Sequence, residues 1–464
     1  MKKIFFNFSK QKNKVALETE NKDIFTYNEI INFFKIINKK IKKKSLILII
    51  SDNTIASVTG YASFMMSENT IILIDKNFKL DFIKKTVKKF KPNYVYAPLI
   101  FFNKLDGLLD KKIKLDDYKL FSTKYKKVEK MNPQNKLLLS TSGTTQSPKF
   151  VRLSNENIYF NTKNIIQYLN INKNHIALTT MPMAYSYGLS IINTHLEAGA
   201  KIIVSKTTIF EKKFWNILNS FKITSLGGVP DFYEMLKKLK FEKFELPHLK
   251  YTTQAGGKLS KDLIEYIQKN LTKKFKFYIM YGQTEASPRI SYLPWKNFNH
   301  KPTSIGQALK GCKMEIVDEK NKKVIKENKV GEIIFYGKNV CLGYAKNSND
   351  LKKGDENKSK LFTGDLGYKD KDDFFYIVGR KNKISKIFGL RIDLEQIEKF
   401  IRHKGFNIRC VPDNKYLKIE IEKKVSLKQI EEIKKKINNY TGINKNYIAF
   451  SKTNLKKNIF KQIF

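Results

Sequence analysis

The chain contains few cysteines and histidines and no long apolar run. Its three cysteines and five histidines are scattered over 464 residues, without the spacing of a zinc site or a disulfide framework. No stretch approaches the roughly 20 apolar residues that a membrane span needs, and the N-terminal segment "MKKIFFNFSKQKNK" lacks the apolar core of a signal peptide. We therefore expect no membrane span, no signal peptide and a reducing, cytoplasmic location.

Acidic residues are also scarce, and so is arginine. The chain has 43 acidic and 89 basic residues, which gives a formal net charge of +46. Such a charge is typical of proteins that bind nucleic acid, anionic membranes or phosphorylated ligands. However, arginine, the residue that reads bases through its planar fork, occurs six times. Because Lys, Asn and Ile share A/T-rich codons, we attribute the charge mainly to genome composition, and nucleic-acid binding stays the less favoured alternative.

Strand-like and helix-like segments alternate over most of the chain. The stretch 201–205, "KIIVS", is typical of a buried strand, and the apolar residues of 210–222 recur at helical spacing. This alternation predicts parallel α/β sheets, in which sites lie at the carboxyl ends of strands. After residue 380 the pattern changes to a helix at 394–402, an alternating strand at 417–422 and a second helix. That part of the sequence predicts a small, separate α+β domain.

One polar loop stands out after the apolar run 137–139. The segment 140–150, "STSGTTQSPKF", surrounds Gly143 with hydroxyl side chains and ends near Lys149. Glycine allows close approach of the backbone, and exposed N–H groups with hydroxyls can hold phosphate oxygens. The loop lacks the Gly-Lys-Ser/Thr ending of a Walker A sequence. Taken alone, it indicates either a phosphate-binding loop or an ordinary polar turn.

The loop is the first of five segments that resemble, in the same order, the motifs of one family. The other four are "YGQTEAS" at 281–287, "GEIIFYGKNVCLGYAKN" at 331–347, "TGDLGY" at 363–368 and "GRKNKISKIFGLRIDLEQIE" at 379–398. The family is the adenylate-forming superfamily, which includes acyl-CoA synthetases, luciferases and the adenylation domains of peptide synthetases. The resemblance covers 137–464 well. Over the first 136 residues it is weak and limited to the general sequence pattern.

The resemblance implies both a fold and a reaction. The fold is a large N-terminal domain of packed α/β sheets over 1–380 and a small mobile α+β domain over 381–464, joined by a hinge at 381–382 that includes Asn382. In the reaction, a small-molecule carboxylic acid attacks ATP with Mg²⁺ bound, which gives an acyl-adenylate and pyrophosphate. The acyl group then passes to a thiol of coenzyme A or of the pantetheine on an acyl carrier protein.

The resemblance also implies a site for ATP and AMP. In "YGQTE", Tyr281 with Gly282 is expected at adenine, Thr284 at the α-phosphate and Glu285 at Mg²⁺. The residues expected at the β- and γ-phosphates are those of the loop, namely Thr141, Ser142, Gly143, Thr144, Thr145 and Lys149.

Two further motifs complete the expected nucleotide site. Asp365 of "TGDLGY" matches the residue that accepts both ribose hydroxyls, which one carboxylate can do with its two oxygens. Arg380 matches an arginine that contacts ribose or phosphate, with a surface ion pair as the alternative. Gly256 and Gly257 of "TQAGGK" match the segment that flanks adenine and the acyl pocket.

The acyl pocket and the thiol tunnel are assigned by the same resemblance. Tyr185 and Gly188 of "MPMAYSYGLS", together with Val229, are expected to line the acyl pocket. Lys386 and Gly389 of "KIFG" are expected to line the tunnel for the thiol arm.

Lys457 of "SKTNLKKNIF" matches the lysine that meets both the reacting carboxylate and the α-phosphate. The sequence departs from the family pattern in two places. Gln146 stands where relatives have a second glycine in the loop, and the C-terminal motif differs at Ser451, Lys456 and Asn458. These departures leave open a catalytically inactive relative that binds nucleotide, and Lys456 is an alternative to Lys457. The identity of the acid and the choice between coenzyme A and a carrier protein stay open as well.

Overall fold

The computed structural model describes residues 6, 8–105, 107–113, 117–127, 130–141, 148–324, 326–381, 384–387, 390–411, 416–422, 424–441 and 443–453. Contacts divide the chain into two units. The first consists of Met1–Lys313 with Phe335–Leu361, and the second of Met314–Ile334 with Phe362–Phe464.

The described part of the chain forms 26 strands. In chain order they are β1 (Val15–Thr19), β2 (Ile24–Thr26), β3 (Leu46–Ser51), β4 (Thr70–Asp75), β5 (Tyr94–Pro98), β6 (Leu109–Ile113), β7 (Tyr118–Thr123), β8 (Leu137–Ser140), β9 (Phe150–Leu153), β10 (Ile176–Leu178), β11 (Lys201–Val204), β12 (Ser225–Gly228), β13 (Tyr251–Gln254), β14 (Lys276–Gly282), β15 (Arg289–Leu293), β16 (Gln307–Ala308), β17 (Lys313–Val317), β18 (Gly331–Tyr336), β19 (Gly343–Ala345), β20 (Lys360–Lys369), β21 (Phe375–Arg380), β22 (Ile384–Ile387), β23 (Leu390–Asp393), β24 (Ile408–Val411), β25 (Leu417–Glu422) and β26 (Ile448–Thr453).

Eleven α-helices lie in the same described ranges. They are α1 (Tyr27–Lys40), α2 (Ile55–Met66), α3 (Leu80–Phe90), α4 (Phe101–Lys104), α5 (Asn155–Leu169), α6 (Ser186–Glu197), α7 (Lys212–Ser220), α8 (Pro230–Lys238), α9 (Lys261–Asn270), α10 (Leu394–His403) and α11 (Leu427–Thr441). Hydroxyl side chains start several of them. Thr26 caps α1 and Ser154 caps α5, each accepting a hydrogen bond from a backbone N–H of the first turn, and Ser260 caps α9 as its sequence predicts.

Two large sheets form the first unit. One has nine strands in the order β16-β15-β14-β13-β12-β10-β11-β1-β2, and the other has eight in the order β19-β9-β8-β4-β3-β5-β7-β6. The strands from β14 to β1 run parallel, as do those from β8 to β5, and antiparallel strands close the edges. Strands β3 and β4 are buried along their whole length. Continuous apolar runs such as "LILIIS" are typical of parallel strands that are covered on both faces.

The eight-stranded sheet separates two hydrophobic cores. Ile47 and Ile49 of β3 face a core shared with α1, α2 and α6, whereas Leu48 and Ile50 face a core shared with α3. Side chains alternate between the faces of a strand, so one apolar run supplies both cores.

The nine-stranded sheet brings the expected site segments to one edge. Strands β12, β13 and β14 are parallel neighbours, paired in register at Gly228–Gln254 and Gln254–Ile279. Their carboxyl ends therefore lie side by side, and each leads into a segment that the sequence assigns to the acyl pocket or to the nucleotide. This is the edge at which sites of parallel sheets form.

The second unit contains three small sheets. Their strand orders are β17-β18-β20-β21, β22-β23 and β24-β25-β26. Helices α10 and α11 pack their isoleucine and leucine faces on the third sheet. The expected helix at 394–402 and strand at 417–422 are confirmed.

The structure confirms the α/β class with a second, smaller α+β part. Contacts group the sheet β17-β18-β20-β21 with the C-terminal residues, so the boundary at 380–381 and the mobility of the small domain stay predictions. Among the described residues, no helix is long and apolar enough to cross a lipid bilayer.

Candidate active site

The expected phosphate loop connects a short hairpin. Strands β8 and β9 are antiparallel, and Ser140 pairs with Phe150 at the open end. Thr141 and Lys149 follow directly on either side of this pair. The other expected residues of the loop, Ser142, Gly143, Thr144 and Thr145, lie outside the described residues, as does Gln146.

Lys149 is joined to Glu285 through Tyr344, which has no expected role among the sequence motifs. The Nζ atom of Lys149 lies 3.7 Å from the centroid of the Tyr344 ring. The Tyr344 hydroxyl donates a hydrogen bond of 2.8 Å to Oε1 of Glu285. We call this arrangement the Lys149–Tyr344–Glu285 contact chain. It connects the cation expected at the terminal phosphates with the carboxylate expected at Mg²⁺.

The electrostatics of the contact chain follow from its burial. Burial and the neighbouring Glu285 carboxylate both raise the pKa of Tyr344. The tyrosine therefore stays a neutral hydrogen-bond donor at physiological pH. The Lys149 ammonium meets the electron-rich face of its ring, an attraction worth about 0.5–1 kcal/mol at exposed sites. The signal for Tyr344 is present in "GYAKN", where an aromatic residue follows the glycine of a quoted motif.

A buried arginine fixes the position of Tyr344. Strand β19 pairs with β9, with Tyr344 opposite Val151. Arg152 of β9 is fully buried and donates to five oxygens of the following segment: Leu342 O (3.0 Å), Tyr344 O (3.2 Å), Lys353 O (2.6 Å), Gly354 O (3.0 Å) and Glu356 Oε2 (2.7 Å). These bonds hold residues 342–356 against β9, and with them the tyrosine ring beside Lys149.

The "YGQTE" motif forms a tight turn at the end of β14. A Cβ atom on Gly282 would lie 1.9 Å from the carbonyl oxygen of Pro288, so glycine alone fits this position. Tyr281, the last residue but one of β14, is half-buried. Thr284 opens a single 3₁₀ turn and donates to Oγ of Ser186 at 3.3 Å. Glu285 is 9% exposed, so its carboxylate points into a largely dry environment.

The expected acyl-pocket and adenine-flanking residues lie next to one another. Gly256 has a φ of +85°, and a Cβ atom there would lie 3.2 Å from Cγ1 of Val229. A Cβ atom on Gly257 would lie 3.0 Å from the ring of Pro230. The two glycines thus let the backbone after β13 pack closely against the start of α8.

The start of α6 forms another wall of the same region. Tyr185 precedes the helix, and a Cβ atom on Gly188 would lie 2.4 Å from a backbone oxygen of Pro182. Burial, with the Asp75 carboxylate as a lesser cause, raises the pKa of Tyr185. Tyr187, in the first turn of α6, donates to the backbone oxygen of Thr253 at 2.9 Å. The structure therefore brings the start of α6 to the end of β13.

Asp365 and Arg380 face each other in the second unit. They are opposite residues of β20 and β21, and Nε of Arg380 donates to Oδ1 of Asp365 at 2.9 Å. The Asp365 side chain is 4% exposed and that of Arg380 59%. The ion pair that was the alternative for Arg380 is thus present. The roles of both residues toward ribose stay predictions.

Several expected site residues cannot be placed in this geometry. Lys457, Asn382 and Gly389 lie outside the described residues, and for Lys386 the structure describes the backbone, in β22. Within the ranges that are described, no cluster of three or more His, Cys, Asp or Glu side chains is suited to hold a metal ion.

The architecture and the motifs agree with one protein family. Residues 26–345 match the sequence profile of the family described as "AMP-binding enzyme". The chain belongs to this family, which confirms the resemblance seen in its motifs.

The relatives include luciferases and CoA ligases. The chain is 27% identical over 375 residues to a luciferin 4-monooxygenase of Photuris pensylvanica, a match covering 76% of this chain and 61% of that protein. It is 27% identical over 283 residues to a 4-coumarate–CoA ligase of Humulus lupulus (59% and 51%). It is 28% identical over 291 residues to an oxalate–CoA ligase of Arabidopsis thaliana (60% and 55%). The chain thus spans about half the length of the curated relatives that it matches.

Solved structures show the same fold. The O-succinylbenzoate coenzyme A synthetase of Bacillus subtilis, in complex with AMP, superimposes with a TM-score of 0.73. The match covers 97% of this chain and 94% of that one at 18% identity. At this identity the likeness establishes the adenylate-forming fold.

Proposed function

We propose that the chain is an AMP-forming acid–CoA ligase, which activates a small-molecule carboxylic acid with ATP and passes the acyl group to the thiol of coenzyme A. The observation that supports this most is the Lys149–Tyr344–Glu285 contact chain. It holds a cation and a carboxylate, taken from two distant motifs, in one connected arrangement. Relatives named as 4-coumarate–CoA and oxalate–CoA ligases support the reaction class.

The first half-reaction is limited by charge repulsion. A carboxylate oxygen attacks the α-phosphorus of ATP, a bond to the acyl group forms, and the bond to pyrophosphate breaks. Both reactants are anions, so oriented cations and N–H donors must stabilise the transition state. In this proposal Lys149 and the phosphate loop bind the leaving pyrophosphate, Thr284 donates to the α-phosphate, and Lys457 neutralises the two reacting groups.

Glu285 has the features of a Mg²⁺ ligand in this family. Its Oε1 accepts from Tyr344, while in the described part of the chain no hydrogen bond is made to Oε2. Mg²⁺ is commonly held by one or two carboxylates together with the phosphates of the substrate, which fits a site with a single acidic residue. When bound, the ion supplies positive charge to the phosphates, and the hydroxyl of Tyr344 keeps the carboxylate oriented.

The second half-reaction makes a thioester. The thiol sulfur attacks the acyl carbon, the bond to AMP breaks, and the thiol proton passes to solvent. We assign the ribose to Asp365 and Arg380, the thiol arm to Lys386 and Gly389, and the hinge between the two steps to Asn382. A carrier-protein pantetheine is the alternative acceptor. We also propose a cytoplasmic location, supported by the three scattered cysteines.

Pyrophosphate release tests the proposal. Purified protein with ATP and Mg²⁺ is supplied with a panel of carboxylic acids, with and without coenzyme A, beside Lys457→Ala and Lys149→Met variants. We expect acid-dependent release that coenzyme A stimulates and that both variants reduce at least tenfold. Stimulation by a carrier protein alone would favour the alternative acceptor. If none of the acids gives pyrophosphate release while ATP still binds in a calorimetric titration, the inactive nucleotide-binding relative is favoured.

A further inference from the structure

A small cavity, mainly apolar but with several polar side chains in its lining, lies inside the first unit against one face of α6. Its volume is about 20 Å³, and its polar lining includes Tyr187, Ser190, His195, Tyr251 and Arg289. A cavity of about 10–15 Å³ holds one water molecule. The space therefore accommodates a group the size of a carboxylate and is too small for a long chain.

Arg289 brings an uncompensated positive charge to this cavity. The residue is 2% exposed, and within the described residues it makes no ion pair and its Nε–H has no hydrogen-bond partner. Its guanidinium carbon lies 5.3 Å from the centroid of the Tyr187 ring. It also neighbours the Tyr168 hydroxyl, where burial raises the pKa, the guanidinium opposes part of that rise, and the resulting pKa of Tyr168 is about 12. A ring face and a neutral hydroxyl do not neutralise the guanidinium charge. A buried cation without an anionic partner is strongly unfavourable.

Two further buried polar atoms of the lining lack partners among the described residues, the Tyr251 hydroxyl and Nε2 of His195. Burial lowers the pKa of His195 to about 4, so the ring is neutral at physiological pH. Its Nδ1 lies 2.9 Å from the backbone oxygen of Ile191 and donates to it. The cavity thus presents two donors and one acceptor. A water molecule satisfies those hydrogen bonds but leaves the charge of Arg289 unbalanced.

The cavity reaches the strand that leads into "YGQTE", since Met280 in its lining immediately precedes the motif. Arg289 is opposite Gly282 in the β14–β15 pair, so it lies one strand away from "YGQTE". Tyr187 follows Ser186, which accepts the hydrogen bond of Thr284. The backbone oxygen of Arg289 accepts from Asn161 at 2.9 Å and from Asn339 at 2.7 Å. The backbone that carries the guanidinium is therefore fixed opposite the end of β14.

We propose that the acid is a short dicarboxylic acid. One carboxylate reacts near Thr284, and the distal carboxylate enters the cavity, where it accepts hydrogen bonds from the Arg289 guanidinium and the Tyr251 hydroxyl. Guanidinium and carboxylate match each other in shape and form charge-assisted pairs. An alkyl tail in the same place leaves the guanidinium unpaired. This inference rests on the proposed ligase function.

The test compares acids of equal length with and without the distal carboxylate. The pairs are malonate and propanoate, succinate and butanoate, and glutarate and pentanoate, assayed by pyrophosphate release. For at least one pair, kcat/KM is expected to be 100-fold or more higher for the diacid, because a site built around a buried polar group strongly rejects an analogue that leaves it unpaired. Equal use of both acids, or preference for the monoacid in every pair, overturns the inference and leaves the cavity to ordered water only.

Variants at Arg289 test whether this residue binds the distal carboxylate. Arg289→Met keeps the length of the side chain and removes its charge, and it should lower the diacid-to-monoacid ratio of kcat/KM about 100-fold. Arg289→Lys should restore part of the ratio, since the charge returns without the fork. Arg409→Met, the same change at a mainly exposed arginine of the second unit, should leave the ratio unchanged. An unchanged ratio in Arg289→Met contradicts the proposal.

A binding measurement separates this inference from the ligase proposal. Without nucleotide, 10–50 mM of each acid is added and the melting temperature is recorded. The preferred diacid should raise the melting temperature of the wild type, and the raise should be absent in Arg289→Met. If this occurs without pyrophosphate release, the dicarboxylate site stands and the ligase proposal fails. If no diacid stabilises the wild type more than its monoacid, the dicarboxylate site is refuted whatever the ligase assay shows.

Discussion

The hydroxyl of Tyr344 can be removed without disturbing its ring. In Tyr344→Phe the aromatic face still meets Lys149, but Glu285 loses the donor that lies 2.8 Å from its Oε1. The substitution therefore separates the two halves of the contact chain. We expect it to weaken adenylation while leaving the affinity for the terminal phosphates nearly unchanged.

The size of the effect follows from burial. A hydrogen bond to a charged group contributes about 1.5–3 kcal/mol. Tyr344 is 36% exposed, so water can take the place of the lost hydroxyl and the lower end applies. A loss of about 1.5 kcal/mol corresponds to a decrease of about tenfold in kcat/KM. Tyr344→Leu also removes the ring, and the lost cation–π attraction of about 0.5–1 kcal/mol should add a factor of about two to five, expressed as a higher KM for ATP.

The assay is acid-dependent pyrophosphate release at varied ATP and Mg²⁺. Tyr440→Phe is the matched control, because it removes a hydroxyl from a tyrosine that is 49% exposed on α11, and it should keep the wild-type rate. The role assigned to the Tyr344 hydroxyl is refuted if Tyr344→Phe and Tyr440→Phe behave alike. It is also refuted if Tyr344→Phe changes the KM for ATP as much as Tyr344→Leu does.

Three other predictions concern stability, measured by urea unfolding. Gly282→Ala should lower the free energy of unfolding by about 3 kcal/mol, because the added Cβ atom would lie 1.9 Å from a backbone oxygen. Gly354→Ala is the control and should cost little, because the nearest atom to its Cβ would be 3.7 Å away. Similar losses in the two variants would contradict the geometry. Lys136→Met should also cost about 3 kcal/mol, since the buried ammonium donates to three carbonyl oxygens at 2.5–3.0 Å, and the same change at exposed Lys261 should be neutral. His195→Gln should reduce the acid sensitivity of the fold, because burial lowers the pKa of His195 from 6.5 to about 4. Between these pH values the unfolded state binds a proton that the folded state does not. Falling pH should therefore destabilise the wild type by on the order of 3 kcal/mol more than the variant. Parallel pH profiles for the two proteins would show that His195 does not titrate in this way.

The parts of the fold that the sequence predicts well are those with a local signal. The runs at 46–50 and 71–74 are apolar throughout, which marks parallel strands covered on both faces. The glycine of "YGQTE" marks the tight turn after β14, because a residue with a Cβ atom would collide there with the Pro288 carbonyl. Ser260 predicts the start of α9 because serine is a favoured N-cap residue, and its side chain caps the helix in the structure.

The parts that the sequence does not predict depend on contacts between distant segments. Tyr344 and Glu285 are 59 residues apart, and nothing next to either residue in sequence indicates their hydrogen bond. In sequence, Lys136 does not differ from the many surface lysines. Its burial arises because it precedes β8 and lies under the C-terminal end of α2. The burial of Arg289 is also not evident from its neighbours in sequence. It arises because β15 pairs with β14 in the nine-stranded sheet, where residues of α5, α6 and β14 enclose the guanidinium.

The five hydrogen bonds of Arg152 have a consequence for how this sequence tolerates mutation. An ammonium group has three donors on one atom and cannot reach acceptors spread around a planar fork. Pressure toward A/T-rich codons can convert exposed arginines into lysines at little cost, but at Arg152 the conversion would leave several buried oxygens without donors. At the two buried arginines, Arg152 and Arg289, the shape of the cation therefore matters as well as its charge, so lysine is not an equivalent replacement there even in a sequence this rich in lysine.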